Sequence, residues 1–307
     1  MKAATWQKPS LTANLYYNLE EIMAQRKKAP LDQGTIRIFI EMAVLFIAII
    51  VLLVMIGNVN APVPQEDPIE TTDNTLPSVE TVPEDTSPEG IFQAFLREHN
   101  LTKDGYTEPM IENYALYPEC REFILNYPLE KDKEHTPDIS WADRSNGVPL
   151  FLQFDERWGY TPYGFTVGGI SGCAPTCLSM VAYFLTGNTD YTPAYMMEFS
   201  TEDGHVGQNG GTQWTLFSRG AKNLGLKVEE LPLVESTLVN RLKKGIPVVL
   251  SVGPGDFTQN GHYVVLVGYK DGKIKVNDPF SKANSEKEYT YAQLEPQIRN
   301  LWAISNP

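Results

Sequence analysis

One uncharged apolar run, residues 42–55 (MAVLFIAIIVLLVM), constrains the organisation of this chain more than any other feature. Apolar residues on both sides extend it to about twenty residues, the length that a helix needs to cross a bilayer. A buried core helix and a cleaved signal peptide are the alternatives, but a cleaved signal normally starts nearer the N-terminus, and no A-x-A site follows the run. We therefore expect a single transmembrane helix over residues 37–57.

The charges that flank this segment predict its orientation. Six basic residues precede or begin it, whereas the next one after it is Arg97; the six are Lys2, Lys8, Arg26, Lys27, Lys28 and Arg37. Loops rich in Lys and Arg stay on the cytoplasmic side of a membrane. We expect residues 1–36 to be a cytoplasmic segment and the rest of the chain to be extracellular, so that the protein is a single-pass protein of the cell membrane.

Residues 58–90 carry many Pro, Thr, Glu and Asp residues and few large apolar ones. Such a segment cannot bury enough surface to fold, so we interpret it as an acidic linker. Residues 91–146 then form a small helical segment, whose first helix is predicted by Ser87 and Pro88, an N-cap followed by proline at the first helical position. A second helical pattern runs from Pro118 to Tyr127, with Cys120, Phe123, Ile124 and Tyr127 on one face.

Composition and motifs exclude several partners. A formal net charge of −13 repels phosphate backbones, so we expect no nucleic-acid partner. No GxxxxGK[ST] sequence is present, so no nucleotide-binding domain is expected. The three cysteines, Cys120, Cys173 and Cys177, are too few for a disulfide framework and contain no CxxC pair. We expect neither a metal nor another cofactor.

Residues 147–307 form the main domain, and its predicted helices come before most of its strands. We expect helices over residues 173–186, 213–224 and 235–244, and strands over 246–252, 262–269, 273–278 and 301–305. This order predicts an α+β fold in which N-terminal helices pack on an antiparallel sheet.

Cys173 lies at the first position of the apolar helix 173–186. A helix N-terminus has unpaired N–H groups and a positive partial charge, which stabilise a thiolate and can face an oxyanion. This position taken alone favours a structural thiol over a nucleophile. Cys177, one turn later, and Cys120, on its apolar helical face, are interpreted as buried core thiols.

Two histidines of the main domain could serve as a base. His262 begins an apolar strand, whereas His205 lies in a Gly-rich loop and is interpreted as a solvated surface residue. Asp278, at the end of the next strand, could orient His262 if the hairpin register is suitable. A two-residue loop at Asp271-Gly272 would pair Lys270 with Lys273 and send the two side chains to opposite faces.

A three-residue loop with Gly272 in the left-handed conformation would instead pair Tyr269 with Lys273. Asp278 would then lie opposite Val264, on the same face as His262 and diagonal to it. We predict this second register, with both side chains directed toward the helix that starts at Cys173. Gln153 is a further candidate, since its side-chain amide could donate to an oxyanion, although taken alone it is interpreted as an ordinary polar residue.

Four segments, in order, carry a resemblance to a known family: Gln153-Phe-Asp-Glu-Arg-Trp158-Gly, Gly172-Cys173-Ala-Pro-Thr, Gly261-His262-Tyr-Val-Val-Leu-Val-Gly-Tyr and Asn277-Asp278-Pro-Phe. They resemble the bacteriocin-processing cysteine peptidases of family C39, which are papain-like enzymes that cleave leader peptides after two glycines. The chain is more similar to the free-standing, exported relatives of those enzymes.

The resemblance implies a papain-like fold, with Cys173 as nucleophile, His262 as base, Asp278 as orienting residue and Gln153 as oxyanion donor. In the transporter-linked relatives that glutamine lies only a few residues before the cysteine, whereas Gln153 lies twenty residues before Cys173. The implied function is hydrolysis of a peptide or protein substrate. A cell-wall peptide amidase of the same fold and a non-catalytic binding or scaffold protein are the alternatives.

Overall fold

The computed structural model describes residues 85–307. The predicted cytoplasmic segment, the transmembrane helix over residues 37–57 and most of the predicted linker lie outside this range. Among residues 85–307, no helix combines the length and the apolar character that crossing a membrane requires.

The described chain begins with three helices, α1 (Pro88–Glu98), α2 (Glu108–Leu116) and α3 (Arg121–Glu130). The Ser87 side chain accepts a hydrogen bond from the N–H of Gly90 at 3.0 Å, so the predicted N-cap is confirmed. A 3₁₀ turn, Pro118–Cys120, joins α2 to α3. The predicted face of this second element is buried at Cys120, Phe123 and Ile124, whereas α2 was not predicted.

A short hairpin, β1 (Pro162–Tyr163) and β2 (Thr166–Val167), leads into the short helix α4 (Gly168–Ser171) and the long helix α5 (Cys173–Thr186). Helix α5 begins at Cys173 and ends at Gly187, whose φ of 72° only glycine adopts without strain. It is followed by α6 (Pro193–Glu202), which was not predicted, by a π-helical turn (Leu216–Gly220) and by α7 (Ala221–Asn223). Helix α8 spans Glu235–Lys243, as predicted.

The main sheet is antiparallel and has the strand order β3-β8-β4-β5-β6-β7. Its strands are β3 (Lys227–Glu230), β4 (Val248–Val252), β5 (His262–Lys270), β6 (Lys273–Asn277), β7 (Glu288–Tyr289) and β8 (Ile298–Ser305). Two short helices, α9 (Lys282–Ser285) and α10 (Tyr291–Leu294), lie between β6 and β8. The four predicted strands are confirmed as β4, β5, β6 and β8.

Helix α5 packs on one face of this sheet and forms the core of the domain with it. Leu178 and Val181 of α5 belong to the same buried cluster as Val265 of β5 and Trp302 of β8. Helix α8 packs against the other buried cluster, which includes Val264 and Leu266. Helices that precede and cover an antiparallel sheet confirm the predicted α+β class.

The β5–β6 hairpin corrects one prediction and confirms another. Lys270 pairs with Lys273, and Asp271 and Gly272 have φ values of 50° and 81°, so the turn is the two-residue type and the predicted Tyr269–Lys273 pair is wrong. Val267 is a β-bulge, because Leu266 pairs with Val276 and Gly268 with Lys275. The extra residue on β5 shifts the register by one, which places position 278 diagonal to His262 after all.

Candidate active site

Cys173 is placed by the junction of two helices. Gly172 separates α4 from α5, and a Cβ atom at this position would lie 2.5 Å from the carbonyl oxygen of Gly168, so only glycine fits there. Cys173 is partly exposed, whereas the other two thiols are buried. Within residues 85–307, the N–H groups of Cys173 and Ala174 donate to no backbone carbonyl outside α5. Because the first N–H groups of a helix have no partner inside it, they remain free to bind an oxyanion.

His262 begins β5 and is 8% exposed. Its Nε2 lies 2.7 Å from Oδ1 of Asp278, and Cys173 is close enough to the ring to raise the pKa of the imidazole. Since Asp278 occupies Nε2, Nδ1 is the nitrogen that remains for the thiol. The predicted placement of His262 and Asp278 on one face is confirmed by their hydrogen bond, although the turn that was expected to produce it is not the one observed. The assignment of Cys173 as the partner of this imidazole stays a prediction.

Asp278 is 1% exposed and held from several sides. Its Oδ1 accepts a second hydrogen bond, from the N–H of Phe280 at 2.9 Å. Its Oδ2 accepts from Nδ2 of Asn284 at 2.9 Å, and its own N–H donates to Oγ of Ser285 at 2.8 Å. A carboxylate held this firmly presents one oxygen to the imidazole in a fixed direction.

Three influences determine the charge of His262. Burial by itself lowers the pKa, but the nearby Asp278 and Cys173 outweigh it and raise the pKa of His262 to about 10. The ring is therefore an imidazolium at neutral pH. An adjacent positive charge favours the thiolate form of a cysteine, which is the form that acts as a nucleophile.

The side chain of Gln153 lies beneath α4 rather than in a free position. Its Nε2 donates to the carbonyl oxygens of Gly169 at 3.1 Å and Gly168 at 3.5 Å, while its buried Oε1 has no partner among the described residues. An amide N–H that is already paired cannot donate to an oxyanion unless the side chain rotates. Gln153 thus lies against α4, the short helix that leads into α5. Its role as an oxyanion donor stays a prediction.

Two tyrosines that the sequence analysis did not name, Tyr163 and Tyr263, belong to the buried cluster against which Cys173 packs. Tyr163 hydrogen-bonds to Oγ of Ser200 at 2.8 Å and to Oγ1 of Thr212 at 2.6 Å, and the Tyr263 hydroxyl donates to the carbonyl of Thr212 at 2.9 Å. Burial is the main cause that raises the pKa of both phenols, and the nearby Cys173 adds to it. Both phenols are therefore neutral at physiological pH. In the sequence, Tyr263 could have been noticed because it directly follows the candidate His262.

The remaining histidine and thiols have structural surroundings. The prediction that His205 is solvated is wrong, because it is fully buried and bonded to Oδ2 of Asp203 and Oγ1 of Thr215, each at 2.8 Å. Cys177 donates to the carbonyl of Tyr263 at 3.4 Å inside the core. Burial raises the pKa of Cys177 and raises that of Cys120 to about 12, so both are inert thiols, as predicted.

Comparisons with known proteins give one family and several solved structures. Residues 145–306 match the Peptidase_C39 like family. The peptidase domain of Streptococcus ComA, a bifunctional ABC transporter of a quorum-sensing pathway, is 20% identical, with 52% of this chain and 99% of that chain covered and a TM-score of 0.38. A putative C39-like peptidase from Bacillus anthracis is 18% identical, with 57% and 99% covered and a TM-score of 0.37.

A double glycine motif protease from an AMS/PCAT transporter, solved in complex with the leader peptide, is 16% identical. That match covers 56% of this chain and all of the other, with a TM-score of 0.35. No curated protein matches the chain.

Proposed function

Because this chain belongs to the Peptidase_C39 like family, we propose that it is a membrane-anchored cysteine peptidase with a papain-like domain outside the cell. The observation that supports this proposal is the arrangement in which the buried Asp278 binds His262 at 2.7 Å and the partly exposed thiol of Cys173 lies near the imidazole. A nucleophile, a nearby base and a group that orients the base are what covalent catalysis by a thiol requires.

In the first half of the proposed reaction, the thiolate Sγ of Cys173 attacks the carbonyl carbon of the scissile peptide bond. The carbonyl oxygen becomes an oxyanion, which the free backbone N–H of Cys173 at the start of α5 stabilises. The imidazolium of His262 then gives its Nδ1 proton to the leaving nitrogen as the C–N bond breaks. The products are a free amine and a thioester on Cys173.

In the second half, the now neutral His262 accepts a proton from water through Nδ1. The resulting hydroxide attacks the thioester carbonyl, the C–S bond breaks, and the sulfur leaves as a thiolate beside the re-formed imidazolium. Throughout both halves Asp278 holds Nε2–H, which fixes the ring orientation and stabilises its positive charge.

The full chain, purified in mild detergent, provides the test of this activity. Peptide libraries that include sequences with two adjacent glycines, because of the family resemblance, would be digested and the products identified by mass spectrometry. Cys173→Ala should abolish product formation, and Cys177→Ala, the matched control, should retain it. Cleavage of cell-wall peptides alone would favour the amidase, and the absence of any product with a normally folded chain would favour the scaffold.

The proposed location rests on the basic residues before the apolar run 42–55 and their scarcity after it. Protease added to intact cells from which the wall has been removed should release a fragment that contains Cys173. Protection of residues 91–307, with cleavage near the N-terminus, would show that the orientation is reversed.

A further inference from the structure

Glu119, in the 3₁₀ turn between α2 and α3, contacts a distant part of the chain. Its Oε1 accepts hydrogen bonds from Oγ of Ser281 at 2.6 Å and from the N–H of Ala283 at 3.4 Å. Its Oε2 accepts from the N–H of Lys282 at 2.7 Å. The last two donors belong to the first turn of α9, so the carboxylate caps this short helix.

Helix α9 in turn holds the carboxylate of the candidate site. Asn284 donates to Oδ2 of Asp278 at 2.9 Å, and the hydroxyl of Ser285 accepts from the Asp278 N–H at 2.8 Å. Asp278, held in this position, is hydrogen-bonded to Nε2 of His262 and so fixes the orientation of the imidazole ring. A continuous chain of hydrogen bonds and one helical turn therefore joins Glu119 to the imidazole.

A second set of contacts follows the same route. The ring of Tyr117 meets that of Phe280 edge to face, with centroids 5.1 Å apart. Phe280 meets the ring of His262 at 6.4 Å with an interplanar angle of 76°. Phe280 is also bonded through its N–H to Oδ1 of Asp278. The segment before α3 thus contacts the chain after β6 in two ways, through the carboxylate of Glu119 and through the ring of Tyr117.

We propose that Glu119 is a positioning residue that orients Asp278 through helix α9, which makes the helical segment 88–130 a working part of the active site. This inference rests on the proposed function only in assigning a catalytic use to the oriented pair. Without the carboxylate, the N–H groups of Lys282 and Ala283 lose their acceptor, and Asn284 and Ser285 hold Asp278 less firmly. A looser Asp278 stabilises the imidazolium less, and the scissile bond is attacked less often.

The readout is the titration of His262 itself, which needs no substrate. The full chain would be labelled with ¹³C at Cε1 of its four histidines, and the His262 resonance would be identified by its absence in His262→Gln. The titratable groups that act on His262 are Asp278 and Cys173, so a change in its midpoint reports on this pair. Glu122, exposed on α3 and without a hydrogen bond among the described residues, is the matched control.

In Glu119→Ala we expect the His262 midpoint to fall by roughly half a pH unit and kcat/KM to fall roughly two- to fivefold, the size typical of a lost carboxylate at a helix N-terminus. Glu119→Gln, which keeps one acceptor oxygen, should recover part of both, and Glu122→Ala should match the wild type. If Glu119→Ala does not fold, Ser281→Ala, which removes one donor to Glu119 and the hydroxyl that accepts from the Asn284 N–H, should lower the midpoint in the same direction.

An unchanged His262 midpoint in folded Glu119→Ala would overturn the positioning role, even if the variant melts at a lower temperature, because a purely structural cap changes stability alone. Failure of the proposed function has a different signature. In that case neither the wild type nor any variant cleaves a peptide, while the titration midpoint of His262 still falls in Glu119→Ala.

Discussion

Replacement of Asp278 by asparagine separates the charge of this residue from its hydrogen bonds. In the structure Oδ1 accepts from both His262 Nε2 and the Phe280 N–H, and an asparagine Oδ1 can accept both. The asparagine amide would then face Asn284, whose own amide can rotate to present its oxygen. The imidazole should therefore keep its orientation while it loses the adjacent negative charge.

The expected size of the effect follows from the pKa of His262. Burial lowers it and Asp278 is the largest influence that raises it to about 10. Without the carboxylate charge we expect a pKa of about 7, close to that of an ordinary histidine. The active form carries a protonated His262, so activity is present below this pKa and lost as the pH rises through it. At a pH of about 8.5 the imidazolium fraction should fall from about 97% to about 3%, roughly thirtyfold.

The assay is kcat/KM of the full chain over a range of pH, for wild type, Asp278→Asn and Asp278→Ala. Asp278→Asn should retain activity at a pH of about 6, which is below the ordinary pKa of histidine. As the pH rises, this variant should lose activity at a lower pH than the wild type does. Asp278→Ala should lose activity at every pH, because nothing then orients the ring. An alkaline limb of Asp278→Asn that coincides with that of the wild type would refute the assignment of the raised pKa to Asp278.

Three further predictions concern single elements. Cys173→Ala should abolish turnover, whereas Cys177→Ala should lower the free energy of unfolding by on the order of 1 kcal/mol, measured by urea denaturation. Deletion of Val267 should remove the bulge, turn Asp278 away from the imidazole and abolish activity in a folded protein with an unchanged circular dichroism spectrum; full activity would contradict the register. Burial lowers the pKa of His205, so the unfolded chain binds its proton first and the free energy of unfolding should decrease as the pH falls below about 6.5, a decrease that His205→Gln should remove.

Local signals in the sequence determined the elements that carry the candidate site. A cysteine at the start of an apolar run, with glycine before it and another glycine at position 187, is enough to define α5, because helix caps depend on neighbouring residues alone. The strand that begins at His262 follows from its own apolar residues. The class of fold and the positions of Cys173 and His262 on these elements were therefore accessible without coordinates, whereas their roles as nucleophile and base came from the family resemblance.

Tertiary structure decided how those residues face one another. The bulge at Val267 has no marker in the sequence, because it depends on how β5 pairs with β6, and one extra residue changes which face every later side chain occupies. The burial of His205 depends on α6 and the π-helical turn closing around its loop. The contact between Glu119 and Ser281 joins residues 162 positions apart. Nothing local distinguishes such a glutamate from a solvated one, since only the folded chain places helix α9 in front of its carboxylate.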